Sequence, residues 1–119
     1  MPHVIVEWTA GVSGLVERER LMRRIAMAMD EVGCFKADDI KVRCREALWS
    51  FMGVEAQEHF YVAAEIQVLD NKTDEQLQRM GNSVLKVLQE EFPAQPCKSS
   101  ITVRFTLMNP SLYFRAVNS

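Results

Sequence analysis

Residues 2–8 read Pro-His-Val-Ile-Val-Glu-Trp, with Val4, Val6 and Trp8 alternating against Ile5 and Glu7. That period of two predicts a strand with at least one well-buried face. Thr9 to Gly14 holds two glycines and a serine and reads as a loop. From Val16 to Val32, the apolar residues Leu21, Ile25, Met29 and Val32 recur at helical spacing around the charged run Glu17 to Arg24. This predicts an amphipathic helix, with Gly33 as its C-terminal stop. Ile40 to Arg45 alternates strictly, placing Ile40, Val42 and Cys44 on one side and Lys41, Arg43 and Arg45 on the other. A strand with an apolar face and a cationic face follows. Ala47 to Phe51 either extends it or begins an excursion that ends at Gly53.

The second half repeats this plan. Phe60 to Val68 reads as a strand and Leu69 to Lys72 as a turn. Thr73-Asp74-Glu75-Gln76 has the form of a capping box. Leu77, Met80, Val84, Leu88 and Phe92 then recur every three or four residues until Pro93. Ile101 to Phe105 is the last clear strand. Asn109-Pro110 makes a turn, and Leu112 to Val117 is read as a short closing strand.

The order is therefore β-α-β followed by β-α-β. Ile40-Lys41-Val42-Arg43 matches Ile101-Thr102-Val103-Arg104, and positions 40 and 101 differ by 61, close to half of 119 residues. Such a tandem duplication predicts an α+β fold in one domain, residues 1–119, with pseudo-repeats at about 2–52 and 58–119. Each unit should make a right-handed crossover between parallel strands. The product is a four-stranded mixed sheet with two helices on one face. The other face must be polar or be buried by a partner. The apolar positions Val62, Ala64, Ile66 and Val68, with Ala63 on the opposite parity, are read as favouring a partner and hence an oligomer.

Composition narrows the class. The chain is 48% hydrophobic and 25% charged, as in ordinary soluble globular proteins. Fourteen Lys and Arg against 16 Asp and Glu give a net charge of −2, which lacks the basic excess of a duplex-binding domain. Nucleic acid is not expected as a partner. No apolar run approaches the ~18 residues of a membrane span. The first residues lack the pattern of a secretory signal. Cys34, Cys44 and Cys97 form no metal-ligand spacing and are odd in number. They read as free buried thiols in a reducing compartment. A cytoplasmic location is the expectation, with no membrane partner.

The sharpest chemical feature is Pro2 directly after Met1. Removal of Met1 would leave a secondary amine on a rigid ring at the start of a strand. Burial and nearby cations lower the pKa of such an amine below the ordinary ~8. A neutral base near physiological pH would result, suited to proton abstraction. The competing reading is that Pro2 merely precedes a strand. His3 and His59 lack a metal-ligand cluster and read as structural. Glu7 reads as a solvated or paired carboxylate. Met22, Met27, Met29 and Met80 sit at helical spacing and are expected to pack. The run Glu17 to Arg24 reads as a solvated helix face. Trp8, Trp49 and Phe51 read as core or subunit contacts, or as one apolar wall of a site.

Several segments together resemble one family. Pro-His-Val-Ile-Val-Glu at 2–7 is similar to the start of the 5-carboxymethyl-2-hydroxymuconate isomerases of the tautomerase superfamily. Gly33-Cys34-Phe35, Ile40-Lys41-Val42-Arg43, Lys72-Thr73-Asp74-Glu75-Gln76 and Asn109-Pro110-Ser111-Leu112-Tyr113-Phe114 resemble further stretches of that family, in order along the chain. The resemblance implies a tautomerase-like fold, a homotrimer, no cofactor or metal, and a catalytic amino-terminal proline, here Pro2. It also implies cations that hold substrate carboxylates. Lys41 and Lys72 stand where the family pattern has arginine, and Arg43 matches its second strand arginine. Lysine keeps the charge but loses the planar fork.

The implied activity is keto–enol proton transfer on an unsaturated 2-hydroxy or 2-oxo di- or tricarboxylate, of the kind formed in aromatic ring degradation. Pro2 would act as general base, and Lys41, Lys72 and Arg43 would bind the small carboxylate substrate. Two other readings use the same scaffold. One is a hydratase or dehalogenase of a small unsaturated acid, which would need a carboxylate near Pro2 to activate water. The other is a trimeric ligand-binding protein without enzymatic activity, its proline blocked by Met1.

Overall fold

A computed structural model describes residues 1–11 and 16–118. Four strands and two helices follow in the order β1 (His3–Thr9), α1 (Arg18–Glu31), β2 (Lys41–Ala47), β3 (His59–Leu69), α2 (Asp74–Glu91) and β4 (Lys98–Met108). The two β-α-β units are present as expected: β1 pairs parallel with β2, and β3 parallel with β4. The units join through the antiparallel pair β1–β3, giving a mixed sheet of order β2-β1-β3-β4. Residues 12–14 of the expected loop lie outside the described residues.

Both helices start at strong caps. The Glu17 carboxylate accepts from the backbone N–H groups of Glu19 and Arg20, so α1 begins at Arg18 rather than at Val16. Thr73 and Gln76 close the predicted capping box reciprocally, at 3.1 and 2.9 Å. Gly33 follows α1 with φ +85°, the left-handed geometry that ends a helix at little cost for glycine. Each helix presents an apolar stripe to the sheet: Leu21, Ile25 and Met29 from α1, and Met80, Val84 and Leu88 from α2, all fully buried. Trp8 packs on Phe92 at 5.3 Å between ring centroids and closes one end of this core. Met27, by contrast, is 56% exposed, so it does not pack as expected. It lies on the outer side of α1, away from the stripe carrying Leu21 and Ile25.

The charged run on α1 is more than a solvated face. Arg23 pairs with Glu19 one turn away, but Arg20 and Arg24 reach Glu91 on α2 at 2.9 and 2.8 Å. Arg24 also bonds Glu90. The two helices are thus tied together outside the core.

The sheet face opposite the helices corrects one expectation. Val62, Ala64, Ile66 and Val68 already face the helices and belong to the core. They give no argument for a partner. The open face carries the other parity: Arg45 pairs with Glu7 at 2.8 Å, and Glu65 with Arg104 at 3.5 Å. It is a polar face with the central Ile5 between charged neighbours. Large apolar groups are exposed elsewhere. Leu48, Trp49, Phe51 and Val54 crowd the link between β2 and β3, with Trp49 93% exposed. Ala47 ends β2, and the excursion reading of 47–51 holds.

The closing strand expected at Leu112 to Val117 is not formed. Pro110–Leu112 makes one 3-10 turn, capped by the Asn109 side chain. Residues 113–118 continue without ladder pairing. The segment crosses towards the N-terminus instead of adding to a sheet edge. His59 has the structural role expected of it: its ring bonds Ser50 at 2.8 Å and the Gln57 carbonyl at 2.9 Å, pinning the β2–β3 link to β3. The three cysteines are free as expected, but half-buried rather than buried. Among the described residues, no helix is long and apolar enough to cross a membrane.

Candidate functional site

The start of β1, the approach to β2 and the C-terminal segment meet at one end of the sheet. Pro2 is buried there, and its carbonyl accepts the backbone N–H of Lys41 at 3.1 Å. This bond continues the β1–β2 ladder by one residue, so the chain terminus and Lys41 are held side by side. A short 3-10 turn, Ala37–Asp39, leads into β2. The last residues, Tyr113 to Asn118, form the opposite wall. Together with His3, Asp38, Asp39 and Lys41 they enclose a cleft of about 610 Å³.

The amino terminus is tied into this assembly. The Met1 ammonium donates to the Tyr113 hydroxyl at 2.9 Å. Arg115 pairs with Asp39 at 2.8 Å, which anchors the C-terminal segment against the 3-10 turn. Lys41 Nζ donates to the Asp39 carbonyl at 3.0 Å. Asp39 therefore holds one cation with its side chain and another with its backbone.

These charges bear on the terminal amine. Its pKa lies below the ordinary 8.0, first because burial strips it of water and then because Lys41, Arg115 and Lys72 repel its proton; Asp39 opposes them. The Asp39 carboxyl is held below its ordinary value chiefly by the hydrogen bond from Arg115. Burial lowers the His3 pKa, with help from Arg43, the terminal ammonium and Lys41.

Of the residues singled out from the sequence, Lys41 lines the cleft, while Pro2 adjoins it through the bond of its carbonyl to Lys41. Lys72, just before α2, stands outside the lining residues, with its ammonium 5.0 Å above the Phe35 ring. It still acts on the amine through its charge. Arg43 is not brought into the cleft. It bonds His3 Nδ1 at 2.9 Å and reaches the lining only through that ring. Glu7 is the paired carboxylate expected of it, bonded to Arg45.

Sequence reading passed over Asp39, Tyr113 and Arg115. Tyr113 lies within the Asn109–Phe114 stretch that carried the family resemblance, and Arg115 follows it directly. Asp39 is two residues before Lys41. Their convergence needs the C-terminal segment to cross to β1, and local pattern does not encode that crossing. Among the described residues, no group of three or more His, Cys, Asp and Glu is placed to hold a metal ion.

The fold recurs in solved structures. A 5-carboxymethyl-2-hydroxymuconate isomerase from Deinococcus radiodurans R1 superposes with a TM-score of 0.86 at 16% identity, covering 98% of this chain and 90% of that one. A 5-carboxymethyl-2-hydroxymuconate delta-isomerase gives 0.73 at 13% identity, over 99% and 89% of the two chains. A fused 4-OT described as a symmetric trimer gives 0.71 at 9% identity, over 92% and 87%. At these identities the likeness establishes the tautomerase-like fold. No curated protein matches the chain by sequence. The model of the 5-carboxymethyl-2-hydroxymuconate isomerase family, however, matches residues 2–114. With nearly its whole length inside that match, the chain belongs to the 5-carboxymethyl-2-hydroxymuconate isomerase family.

Proposed function

We propose that the protein is a tautomerase that moves a proton along an unsaturated 2-hydroxy or 2-oxo di- or tricarboxylate, with the Pro2 amine as general base once Met1 is removed. The observation that carries this reading is the position of the chain terminus. It is bonded to Tyr113 and Lys41, which with Arg115 stand in the walls of a cleft of about 610 Å³.

The same causes that depress the Met1 amine surround Pro2, which is itself buried. A neutral prolyl nitrogen would take the proton of the dienol hydroxyl. The electron pair left on oxygen forms the carbonyl, and the double bonds shift along the chain. The prolyl ammonium then returns the proton to the distant carbon. Lys41 holds a carboxylate in the cleft, and Lys72, from outside its lining, adds its charge to stabilise the substrate anion and the enolate as it forms, an effect of fixed cations aimed at developing charge. Arg43 contributes by orienting His3 beside the cleft. The reaction requires no cofactor.

The working unit in this reading is a cytoplasmic homotrimer. Support comes from the exposed cluster Leu48, Trp49, Phe51 and Val54, and from Leu112, Phe114 and Val117 beside the cleft. Large apolar side chains left exposed close together in sequence suit a contact site. A hydratase or dehalogenase reading would take Asp39 as the carboxylate that activates water. Its bond to Arg115 lowers its pKa and makes it a weak base, which favours isomerisation.

The test compares processed protein, Pro2 first, with protein carrying one added residue before Pro2. The processed form should ketonise a simple dienol diacid such as 2-hydroxymuconate. The extended form has an amide at that nitrogen and should be slower by at least about 10²-fold, the lower end of general-base assistance. Pro2→Ala keeps a primary amine there and should retain part of the rate. Equal rates in the extended and processed forms would reduce Pro2 to the first residue of a strand.

A further inference from the structure

We infer that Arg115 is the substrate-carboxylate fork of this cleft, held in place by Asp39, and that it sets a preference for dicarboxylates over monocarboxylates. The inference deepens the tautomerase reading and rests on it.

The two lysines lack a planar fork. An ammonium is a compact point charge, whereas a guanidinium offers parallel N–H groups that match both oxygens of a carboxylate. Lys41 and Lys72 provide charge near the terminal amine but no such fork. Arg43, the nearest guanidinium on β2, is occupied by His3 and lies outside the cleft lining. Arg115 is the arginine that lines the cleft.

Its attachment leaves the fork open. Arg115 contacts Asp39 through one nitrogen, Nη2, on one oxygen, Oδ1, at 2.8 Å. Among the described residues, its Nε and Nη1 groups have no hydrogen-bond partner. The side chain remains 44% exposed, while that of Asp39 is 19% exposed. Asp39 is thus a recessed anchor and Arg115 the reachable end. Because the anchor uses a single N–H of Nη2, the other Nη2 N–H and the parallel N–H beside it, on Nη1 or Nε, leave one edge of the guanidinium to receive a ligand carboxylate without breaking the ion pair.

The position also suits the chemistry. Tyr113, two residues earlier on the same segment, bonds the Met1 amine at 2.9 Å, one residue from the Pro2 nitrogen that removal of Met1 would free. A diacid with one carboxylate near Lys41 and the other on Arg115 would lie along the cleft past the amine. A monoacid would use only one of these contacts. Asp39 acts through Arg115 and is a positioning residue.

The experiment uses processed protein and has two readouts. The first is the ratio of kcat/KM for 2-hydroxymuconate to that for the dienol monoacid lacking the second carboxylate. The second is calorimetric affinity for adipate, a saturated diacid that cannot react. Arg115→Lys keeps the charge and removes the fork. It should lower the diacid preference by about 10- to 100-fold through KM, and weaken adipate to a similar degree, as expected for a lost charged hydrogen bond. Arg115→Ala should do at least as much. Asp39→Asn should give a smaller loss in the same direction, because the fork survives without its anchor.

Unchanged adipate affinity and diacid preference in both Arg115 variants, with wild type active, would overturn the inference and leave the tautomerase reading standing. Wild type inactive on both dienols, with adipate binding still dependent on Arg115, would sink the tautomerase reading and keep the fork.

Discussion

The amino group of Met1 and the hydroxyl of Tyr113, 112 residues apart, meet in a hydrogen bond of 2.9 Å. One end of the chain is thereby closed by the other. The contact places the C-terminal segment across the mouth of the first strand, where Arg115 and Asp39 pin it. This segment therefore decides which groups stand beside the chain terminus.

The electrostatics predict how the terminal amine titrates. In protein that retains Met1, the amine should titrate below 8.0. Lys41→Ala should raise that pKa by removing a repelling cation, and loss of Lys72 or Arg115 charge acts in the same direction. The unfolded chain keeps the ordinary value, so between the two pKa values it binds more protons than the folded chain. Stability from this group therefore rises with pH across that window, is lowest below it and is constant above about 8. Nitrogen-15 NMR of the amine measures the titration directly. A value at or above 8.0 contradicts the burial and cation argument.

Lys72 should matter for carboxylates through charge. Lys72→Ala is expected to raise KM for dienol diacids by about 10-fold or more, within the range of a charged hydrogen bond. Lys72→Arg should retain or improve binding, since it adds the planar fork. Steady-state kinetics on several diacids decide the matter. If Lys72→Ala turns over all of them like wild type, the residue is a solvated lysine at a helix start, seated on Phe35.

Gly33 offers a clean backbone test. Its φ is +85°, yet a methyl group placed there meets nothing within 4 Å. Gly33→Ala should therefore cost only the strain of the left-handed conformation, about 1–2 kcal/mol. A urea denaturation series would show this as a lower midpoint with unchanged slope. A neutral or stabilising result would mean that the turn after α1 relaxes to another geometry.

Assembly should follow the exposed aromatic cluster. Light scattering of the wild type is expected to give a mass near three times 13.6 kDa. Trp49→Ser, at a side chain 93% exposed in the single chain, should shift the protein towards smaller species without unfolding it. A folded monomer of wild type at micromolar concentration would remove the trimer.

Short-range pattern was enough for each element on its own. The period of two in 2–8 and 40–45, the helical spacing of Leu21, Ile25 and Met29, and the Thr73–Gln76 box all act over a few residues, where geometry alone links side-chain type to conformation. The internal match of 40–43 to 101–104 extended this to two equivalent units. Pro2 and Lys41 were singled out together from the family resemblance, and they lie side by side because β1 and β2 pair across one β-α-β crossover. The apolar positions of β3 did not point to a partner as expected, because alternation tells which residues share a face and leaves open what covers it. Val62 and its neighbours proved to be core, and the open face proved to be Glu7–Arg45 and Glu65–Arg104. The order β2-β1-β3-β4, the missing closing strand and the meeting of Asp39, Tyr113 and Arg115 at the N-terminus were decided only by tertiary structure. They depend on contacts between residues far apart in the chain. Such contacts form only when both helices bury their stripes on one face and leave residues 113–118 to run across the end of the sheet.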